Sequence, residues 1–130
     1  MKVSIITPSF NSGKTIQDTI SSVFSQDYKN KEYIIIDGCS TDNTKDIIEN
    51  NSRHIDKYIS EPDHGIYDAM NKGIKLATGN VICILNSDDI FFDSNVISKV
   101  ISKFNENKTE IVFGNIIYVS KDLKNHILFF

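Results

Sequence analysis

The residues best suited to chemistry are the adjacent carboxylates of Asp88 and Asp89, which close the tetrad Asn86-Ser87-Asp88-Asp89. The tetrad directly follows residues 81–85, a short apolar run typical of a buried strand. A strand that presents carboxylates at its carboxyl end can hold a divalent cation against a diphosphate. Aspartates are also common in turns and at helix N-caps, so the motif alone leaves both interpretations open.

Polar side chains follow three predicted strands, at residues 7–11, 37–44 and 86–89. In a parallel sheet the carboxyl ends of the strands share one edge, so these clusters should converge on one cleft. Asp37 stands at a strand edge, where a carboxylate can accept hydrogen bonds from a nucleotide base or a ribose. The polar residues from Ser40 to Thr44 have two interpretations, because ligand contact and capping of the next helix by Thr41 or Asp42 would both use them.

A predicted helix over residues 66–77 carries Lys72 away from its apolar stripe. The Lys72 ammonium group has two interpretations, neutralisation of a phosphate or the more common role of a solvated surface lysine. Gly73 in the middle of this helix indicates a packing constraint. His64, just before the helix, has no second His or Cys at a ligand spacing, so an oxygen-rich site for Mg²⁺ or Mn²⁺ is favoured over a zinc site.

The elements that position these residues alternate between strands and helices. Apolar β-branched runs predict strands, and apolar residues at helical spacing predict helices. The predicted strands are residues 3–6, 33–36, 57–60 and 81–85, with two closing strands at 110–114 and 116–119, and the predicted helices are 14–26, 44–50, 66–77 and 94–104. This alternation predicts an α/β fold with a mostly parallel sheet and right-handed crossovers.

Composition limits the class of protein. With 130 residues, of which 40% are apolar, the chain is long enough for one hydrophobic core, so one domain over residues 1–130 is expected. A net charge of −3 gives no basic surface for nucleic acid. Cys39 and Cys83 have no CxxC spacing and no secretory leader precedes them, which fits a reducing cytoplasm. No apolar run approaches the roughly 18 residues that would cross a bilayer.

Four motifs, in this order and spacing, resemble the nucleotide-binding half of family 2 glycosyltransferases of GT-A fold. They are residues 5–11, 36–44, 65–73 and 86–89. Residues 61–73 are similar to the enzymes of this family that build bacterial capsule, exopolysaccharide and O-antigen sugars. The resemblance implies inverting transfer of a sugar from a nucleotide-diphosphate donor, expected to be a UDP-sugar. It also implies a glycan or lipid-linked acceptor, at the inner face of the membrane.

The same resemblance implies roles for individual residues. Asp37 is expected to meet the base, and Asp88 the ribose or a metal-bound water. Asp89 is expected to ligate a divalent cation, Mn²⁺ or Mg²⁺, which stabilises the charge that develops on the departing diphosphate. Asn86 stands where many relatives have a first aspartate, which leaves Asp88 and Asp89 as the carboxylates of the tetrad. The other expected nucleotide-binding residues are Thr7, Pro8, Ser9, Asn11, Ser40 and Lys72.

An inverting transfer also needs a general base for the acceptor hydroxyl. Beyond Asp93 the only aspartate is Asp122, whose surroundings predict a hairpin turn. We therefore expect the base to lie beyond Phe130, with the acceptor-binding part missing from this chain. Two functions remain open: the donor half of a glycosyltransferase, or a nucleotide-sugar-binding module without transfer activity of its own. A phospho-acceptor receiver domain is disfavoured, because it would have an acidic pair where the first strand ends in Thr7-Pro8-Ser9.

Overall fold

The computed structural model describes residues 1–120 and 126–127. Six strands and four α-helices follow one another along this part of the chain, with a short 3-10 helix at Ser52–His54. In chain order they are β1 (Val3–Ser9), α1 (Ile16–Phe24), β2 (Lys31–Asp37), α2 (Thr44–Asn50), β3 (Lys57–Ser60), α3 (Ile66–Leu76), β4 (Val81–Ile84), α4 (Val96–Asn107), β5 (Tyr118–Val119) and β6 (His126–Ile127).

Four of the strands form one parallel sheet in the order β3-β2-β1-β4. Its register sets Ser9 opposite Asp37 and Asp37 opposite Ser60, so three strands end in one row. On the other side of β1, β4 pairs with its first four residues. The strand order therefore reverses between β1 and β4, which is where a parallel α/β sheet opens a crevice outside its carboxyl ends. The predicted α/β architecture is confirmed.

Helices cover both faces of this sheet. Side chains alternate along a strand, so Ile5 and Ile35 face a core formed with α1, α2 and α4, whereas Ile6 and Ile34 face α3. Gly73 of α3 is buried, and a Cβ there would overlap the Ile6 side chain, which is the packing reason expected for a mid-helix glycine. Within residues 1–120 and 126–127, no helix combines the length and the apolar character that crossing a membrane requires.

Several predicted boundaries shift in the structure. Helix α2 and strand β3 have the predicted bounds, but α1 is two residues shorter at each end and α4 begins at Val96. The strand predicted over residues 110–114 is wrong: no strand is found there, and Ile111 and Phe113 are exposed. Strand β5 pairs antiparallel with β6 in a separate sheet, and the turn predicted around Asp122 lies outside the described residues.

The amino edge of the sheet is closed by an ionic network around the buried side chain of Glu32. Its carboxylate lies 3.2 Å from the ammonium groups of both Lys2 and Lys57. It also accepts hydrogen bonds from the Ser4 hydroxyl at 2.5 Å and the Thr78 amide at 2.6 Å. Burial opposes ionisation, but these hydrogen bonds outweigh it and hold the pKa of Glu32 well below its ordinary value. The network thus joins the starts of β1, β2 and β3 to the segment before β4.

We predict that Glu32→Gln lowers the free energy of unfolding by about 1–3 kcal/mol, because it leaves the two lysines without a carboxylate partner. The depressed folded-state pKa means that this stabilisation is complete above the unfolded pKa of about 4.3 and is lost as the pH falls. Urea unfolding at several pH values should therefore show a smaller acid-induced loss in Glu32→Gln than in the wild type. Glu49→Gln, on the exposed side of α2, is the matched control. Equal pH dependence in all three proteins would contradict the prediction.

Candidate functional site

A cleft of about 470 Å³ opens at the carboxyl edge of the sheet. It lies between the loop after β1 and the loop after β4, where the strand order reverses. Its lining is polar apart from one aromatic ring, and its residues are Phe10, Asn11, Ser12, Lys14, Thr15, Asp42, Ser87 and Asp88. Residues of two predicted polar clusters, 7–11 and 86–89, thus line the cleft together. Asp42 is the lining residue that belongs to the third cluster, 37–44.

Hydrogen bonds to backbone amides tie the loop after β1 to the loop after β2. The amide of Asn11 donates to the Ser40 hydroxyl at 2.8 Å, and the Asn11 side-chain oxygen accepts from the Thr41 amide at 2.9 Å. Asn11 has a φ of 47°, in the left-handed region that asparagine enters more readily than most residues. The Ser12 amide donates to the Thr44 hydroxyl at 2.8 Å. These contacts hold Asn11 and Ser12 at the mouth of the cleft.

Asp37 lies beneath this surface, with no solvent-exposed area. Its carboxylate accepts hydrogen bonds from the Ser40 amide at 2.9 Å, the Ser40 hydroxyl and the Ser60 hydroxyl at 2.7 Å. It therefore orders the turn after β2 and fastens that turn to the end of β3. The side chains of Asp37 and Ser40 are thus buried and engaged with each other, while the base contact predicted for Asp37 and the ligand contact predicted for Ser40 stay predictions.

The predicted residues of β1 are also buried. Thr7 accepts a hydrogen bond from the Tyr33 hydroxyl at 3.0 Å inside the core, and Pro8 is buried beside it. Neither residue lines the cleft, and their nucleotide contacts stay predictions. Ser9 is 4% exposed, and within the described residues its hydroxyl is a buried polar atom without a hydrogen-bond partner. Such atoms are rare in folded proteins. Ser9 therefore stays a candidate at the end of β1.

The acidic loop after β4 is anchored on helix α1 by hydroxyl groups. Thr19 donates to the Ser87 carbonyl at 3.0 Å and the Asp89 carbonyl at 2.8 Å, and Thr15 donates to the Ser87 carbonyl at 2.8 Å. The hydroxyls of Ser12 and Ser87 are 2.7 Å apart. Threonines in a helix more often bond to a carbonyl of their own helix. Here they instead position the loop that carries Asp88 and Asp89.

The two carboxylates of this loop face solvent and repel each other. Partial desolvation of the Asp89 carboxyl and the charge of Asp88 raise the pKa of Asp89, although a hydrogen bond from the Asn86 amide at 3.3 Å opposes the shift. In residues 1–120 and 126–127, no three His, Cys, Asp or Glu side chains come together as a metal site. A hard divalent cation needs only one or two protein carboxylates when phosphates and water complete its shell. Asp88 and Asp89 fit that requirement.

Lys72 lies outside the cleft and is neutralised within the protein. Its ammonium group is 3.0 Å from Glu61 and 3.5 Å from Asp68, and it donates to the Pro62 carbonyl at 2.9 Å. The hydrogen bond to Glu61, followed by the charges of Asp68 and Glu61, raises the pKa of Lys72. Lys72 thus fastens the loop before α3 to the helix, and its phosphate contact stays a prediction.

The cation that lines the cleft is Lys14, which the sequence prediction missed. Lys14 is exposed, at the point where the polar loop after β1 leads into helix α1. Its position between a polar loop and an apolar-periodic segment was the available signal. The N-cap of α2 is Asn43, and not Thr41 or Asp42 as the capping interpretation predicted, while the ligand contact of Asp42 stays a prediction. Asp42 accepts hydrogen bonds from the Thr44 amide and the Gly13 amide, each at 3.0 Å, just before the N-cap Asn43, and it also lines the cleft.

A parallel sheet with helices on both faces and a polar, partly acidic cleft at the strand-order reversal defines a doubly wound α/β protein, a class in which ligands bind at that reversal. Its fold is shared with S. aureus TarS residues 1–349 in complex with UDP-GlcNAc, at a TM-score of 0.77 and 26% identity over 83% of this chain and 32% of that one. The sequence profile of glycosyl transferase family 2 matches residues 4–127. The chain belongs to that family, and the predicted GT-A fold is confirmed.

Bacterial glycosyltransferases are among the similar sequences. The chain is 42% identical over 91 residues to the putative teichuronic acid biosynthesis glycosyltransferase TuaG of Bacillus subtilis, covering 67% of this chain and 36% of that protein. It is 38% identical over 114 residues to the Escherichia coli UDP-Glc:alpha-D-GlcNAc-diphosphoundecaprenol beta-1,3-glucosyltransferase WfgD, covering 87% of this chain and 45% of that protein. The chain thus spans less than half the length of these relatives.

The anchoring of the acidic loop gives a direct test. Thr19→Val keeps the side-chain shape and removes the hydroxyl that bonds to the Ser87 and Asp89 carbonyls, so we predict a loss of about 1–2 kcal/mol in unfolding free energy. Hydrogen exchange in a peptide covering residues 86–92 should also become faster. Ser21→Ala, which removes an exposed hydroxyl of the same helix, is the control. Unchanged exchange in this peptide would show that Thr19 does not hold the loop.

Proposed function

We propose that this chain binds the nucleoside diphosphate of a sugar donor in the cleft between β1 and β4. We further propose that it forms the donor half of a glycosyltransferase. The observation that carries the proposal is the meeting of the Asn11-Ser12 loop and the Asp88-Asp89 loop in one polar cleft, in a chain of this family. The UDP-GlcNAc complex named for S. aureus TarS supports a uridine donor.

The cleft offers a partner for each part of such a donor. Lys14 supplies a positive charge for the diphosphate, in a protein whose net charge of −3 gives no general attraction for anions. Asn11 and the hydroxyls of Ser12 and Ser87 provide hydrogen bonds, and the Asp88 carboxylate can accept from ribose hydroxyls. Phe10, 62% exposed, offers a flat apolar face on which a nucleoside can pack.

We propose that Asp89, beside Asp88, holds a divalent cation, Mg²⁺ or Mn²⁺. When bound, such a cation neutralises the negative charge that develops on the leaving diphosphate. The chain's own contribution is to hold the carboxylates in place: Thr15 and Thr19 fix the loop backbone, and the Asn86 amide donates to Asp89. The Asn86 side-chain oxygen is buried without a partner within the described residues, so it is an unused acceptor next to this site.

For the transfer itself we propose inversion at the anomeric carbon, with a glycan or lipid-linked acceptor at the cytoplasmic face of the membrane. The name of WfgD, which includes a diphosphoundecaprenol-linked acceptor, supports a lipid-linked substrate. A general base must take the proton of the acceptor hydroxyl. The described carboxylates of the cleft already serve the donor in this proposal. We therefore place the base in a longer protein, of which this chain spans the donor part.

The test is calorimetric titration of UDP in the presence and absence of Mn²⁺. For the wild type we predict that Mn²⁺ strengthens UDP binding. Asp89→Ala should weaken binding by about tenfold or more and remove the Mn²⁺ dependence, because a charged ligand of the cation is lost. Asp46→Asn, an exposed aspartate of α2 outside the cleft, is the control for the change in net charge.

The outcomes separate the two functions that the sequence leaves open. Absence of UDP binding by the wild type would contradict the proposed donor site. Mn²⁺-dependent binding that survives Asp89→Ala unchanged would contradict the metal role of Asp89. If the chain binds UDP but gives no sugar transfer to an added acceptor, it acts alone as a nucleotide-sugar-binding module, as the placement of the base elsewhere predicts.

The raised pKa of Asp89 predicts a pH dependence for the same binding. A proton and a cation compete for this carboxylate, so Mn²⁺-dependent affinity should increase as the pH rises through the raised pKa of Asp89. The terminal phosphate of UDP also titrates, at about pH 6. Asp89→Asn therefore serves as the reference, because both proteins share the phosphate titration. We expect a steeper pH profile in the wild type, and identical profiles would contradict the prediction.

A further inference from the structure

We infer that Asp63 is the residue that recognises the nucleotide base, and that it favours uracil over cytosine. This inference rests on the proposed donor site and deepens it by naming a specificity-determining residue. Asp63 belongs to the loop between β3 and α3, and it is half-buried at the carboxyl edge of the sheet. The sequence pattern directed attention to Asp37 instead, because Asp37 directly ends a predicted strand.

The Asp63 carboxylate lies over the end of β2, at Gly38. A Cβ atom built on Gly38 would be 2.7 Å from Asp63 Oδ2, closer than real Cβ contacts. The missing side chain at position 38 thus leaves the space that the Asp63 carboxylate occupies. The Gly38 amide donates to the Ser9 carbonyl at 2.9 Å, and Phe10, which lines the cleft, is the next residue. Asp63, Gly38 and Phe10 therefore follow one another along the same edge of the sheet.

One oxygen of this carboxylate is engaged and the other is available. Asp63 Oδ1 accepts a hydrogen bond from the Gly65 amide at 2.9 Å. In the part of the chain that the structure describes, Oδ2 accepts none. Asp37, the neighbouring carboxylate, has no exposed area and already accepts three hydrogen bonds. At this end of β2, Asp63 is therefore the carboxylate that can accept a hydrogen bond from a ligand.

The start of the loop that carries Asp63 is held by contacts to β2 and to α3. The Glu61 amide donates to the Asp37 carbonyl at 3.0 Å, which extends the pairing of β2 with β3. Lys72 reaches back from α3 to the Pro62 carbonyl and the Glu61 carboxylate. Lys72 is thus a positioning residue for Asp63. The Lys72 ammonium group is therefore paired at this loop and not in the cleft.

A carboxylate oxygen is a hydrogen-bond acceptor with no proton to donate. The imide edge of uracil presents an N–H group, from which a carboxylate can accept a hydrogen bond. The corresponding ring nitrogen of cytosine carries a lone pair, which a carboxylate repels. A site built around an acceptor therefore discriminates against the base that lacks the matching donor, because a buried polar group is left unpaired.

The experiment compares the dissociation constants of UDP and CDP by calorimetry in the presence of Mn²⁺. We expect the wild type to prefer UDP by about tenfold or more. In Asp63→Asn the Gly65 hydrogen bond can be kept by the amide oxygen, and the amide N–H groups then point to the base. This should weaken UDP binding, strengthen CDP binding and abolish or reverse the preference.

Two further variants make the test specific. Gly38→Ala keeps the charge of Asp63 but places a methyl group where the carboxylate lies, so the UDP preference should fall as well. Asp46→Asn changes the net charge elsewhere and should leave the preference unchanged. A UDP-to-CDP ratio that is the same in wild type, Asp63→Asn and Gly38→Ala would overturn the assignment of Asp63. Failure of the wild type to bind either nucleotide would instead contradict the proposed donor site, so the two failures are distinguishable.

Discussion

The parallel pairing of β1 with β2 on one side and with β4 on the other is the constraint on which the site depends. Parallel strands bring their carboxyl ends to one edge, and the register sets Ser9 beside Asp37 and Asp37 beside Ser60. A shift of the pairing register by one residue would turn every side chain of β1 to the opposite face of the sheet. Ile5 would then face α3, and Ile6 would face the core formed with α1, α2 and α4. Burial of these apolar side chains therefore fixes the register, and the register determines the residue at which each loop of the carboxyl edge begins.

The amino edge of the sheet carries charges that stabilise the fold, and the carboxyl edge carries the charges of the proposed site. At the amino edge Glu32 pairs with Lys2 and Lys57, and these charges are satisfied within the protein. At the carboxyl edge Asp88 and Asp89 are left exposed and close to each other, and partial desolvation together with the charge of Asp88 raises the pKa of Asp89. Adjacent carboxylates with a shifted pKa in a cleft are consistent with the cation site that we propose.

The sequence pattern predicted the fold well, because long apolar runs and helical spacing record burial on two faces of a sheet. It was wrong at residues 110–114, where a short apolar run alone predicted a strand and Phe113 is exposed. It placed Asn11, Asp88 and Asp89 at the open edge, since residues in loops directly after strands stay accessible. It could not tell that Asp37 would be buried, because this depends on Ser40 and Ser60, which meet it only in the folded chain.

The position of Asp63, which the sequence pattern missed, also depends on a contact that forms only in the folded chain. Asp63 is 25 positions from Gly38 in the chain, and only the pairing of β2 with β3 brings them together. Lys72 carries the right charge for a phosphate, but which partner it finds depends on the path of the loop before α3. Lys14 could be found from its position at the end of the first polar loop. Tertiary partners, rather than residue types, decide these roles.

The proposed donor site lies at the carboxyl edge, with the cation at the loop after β4. Nuclear magnetic resonance of the ¹⁵N-labelled chain with UDP and paramagnetic Mn²⁺ tests this placement most directly. We predict broadening of the amide signals of residues 87–89 and of Ser12, which lies against them, with signals around Glu32 remaining sharp. Broadening centred on the amino edge, or equal broadening at both edges, would contradict the account.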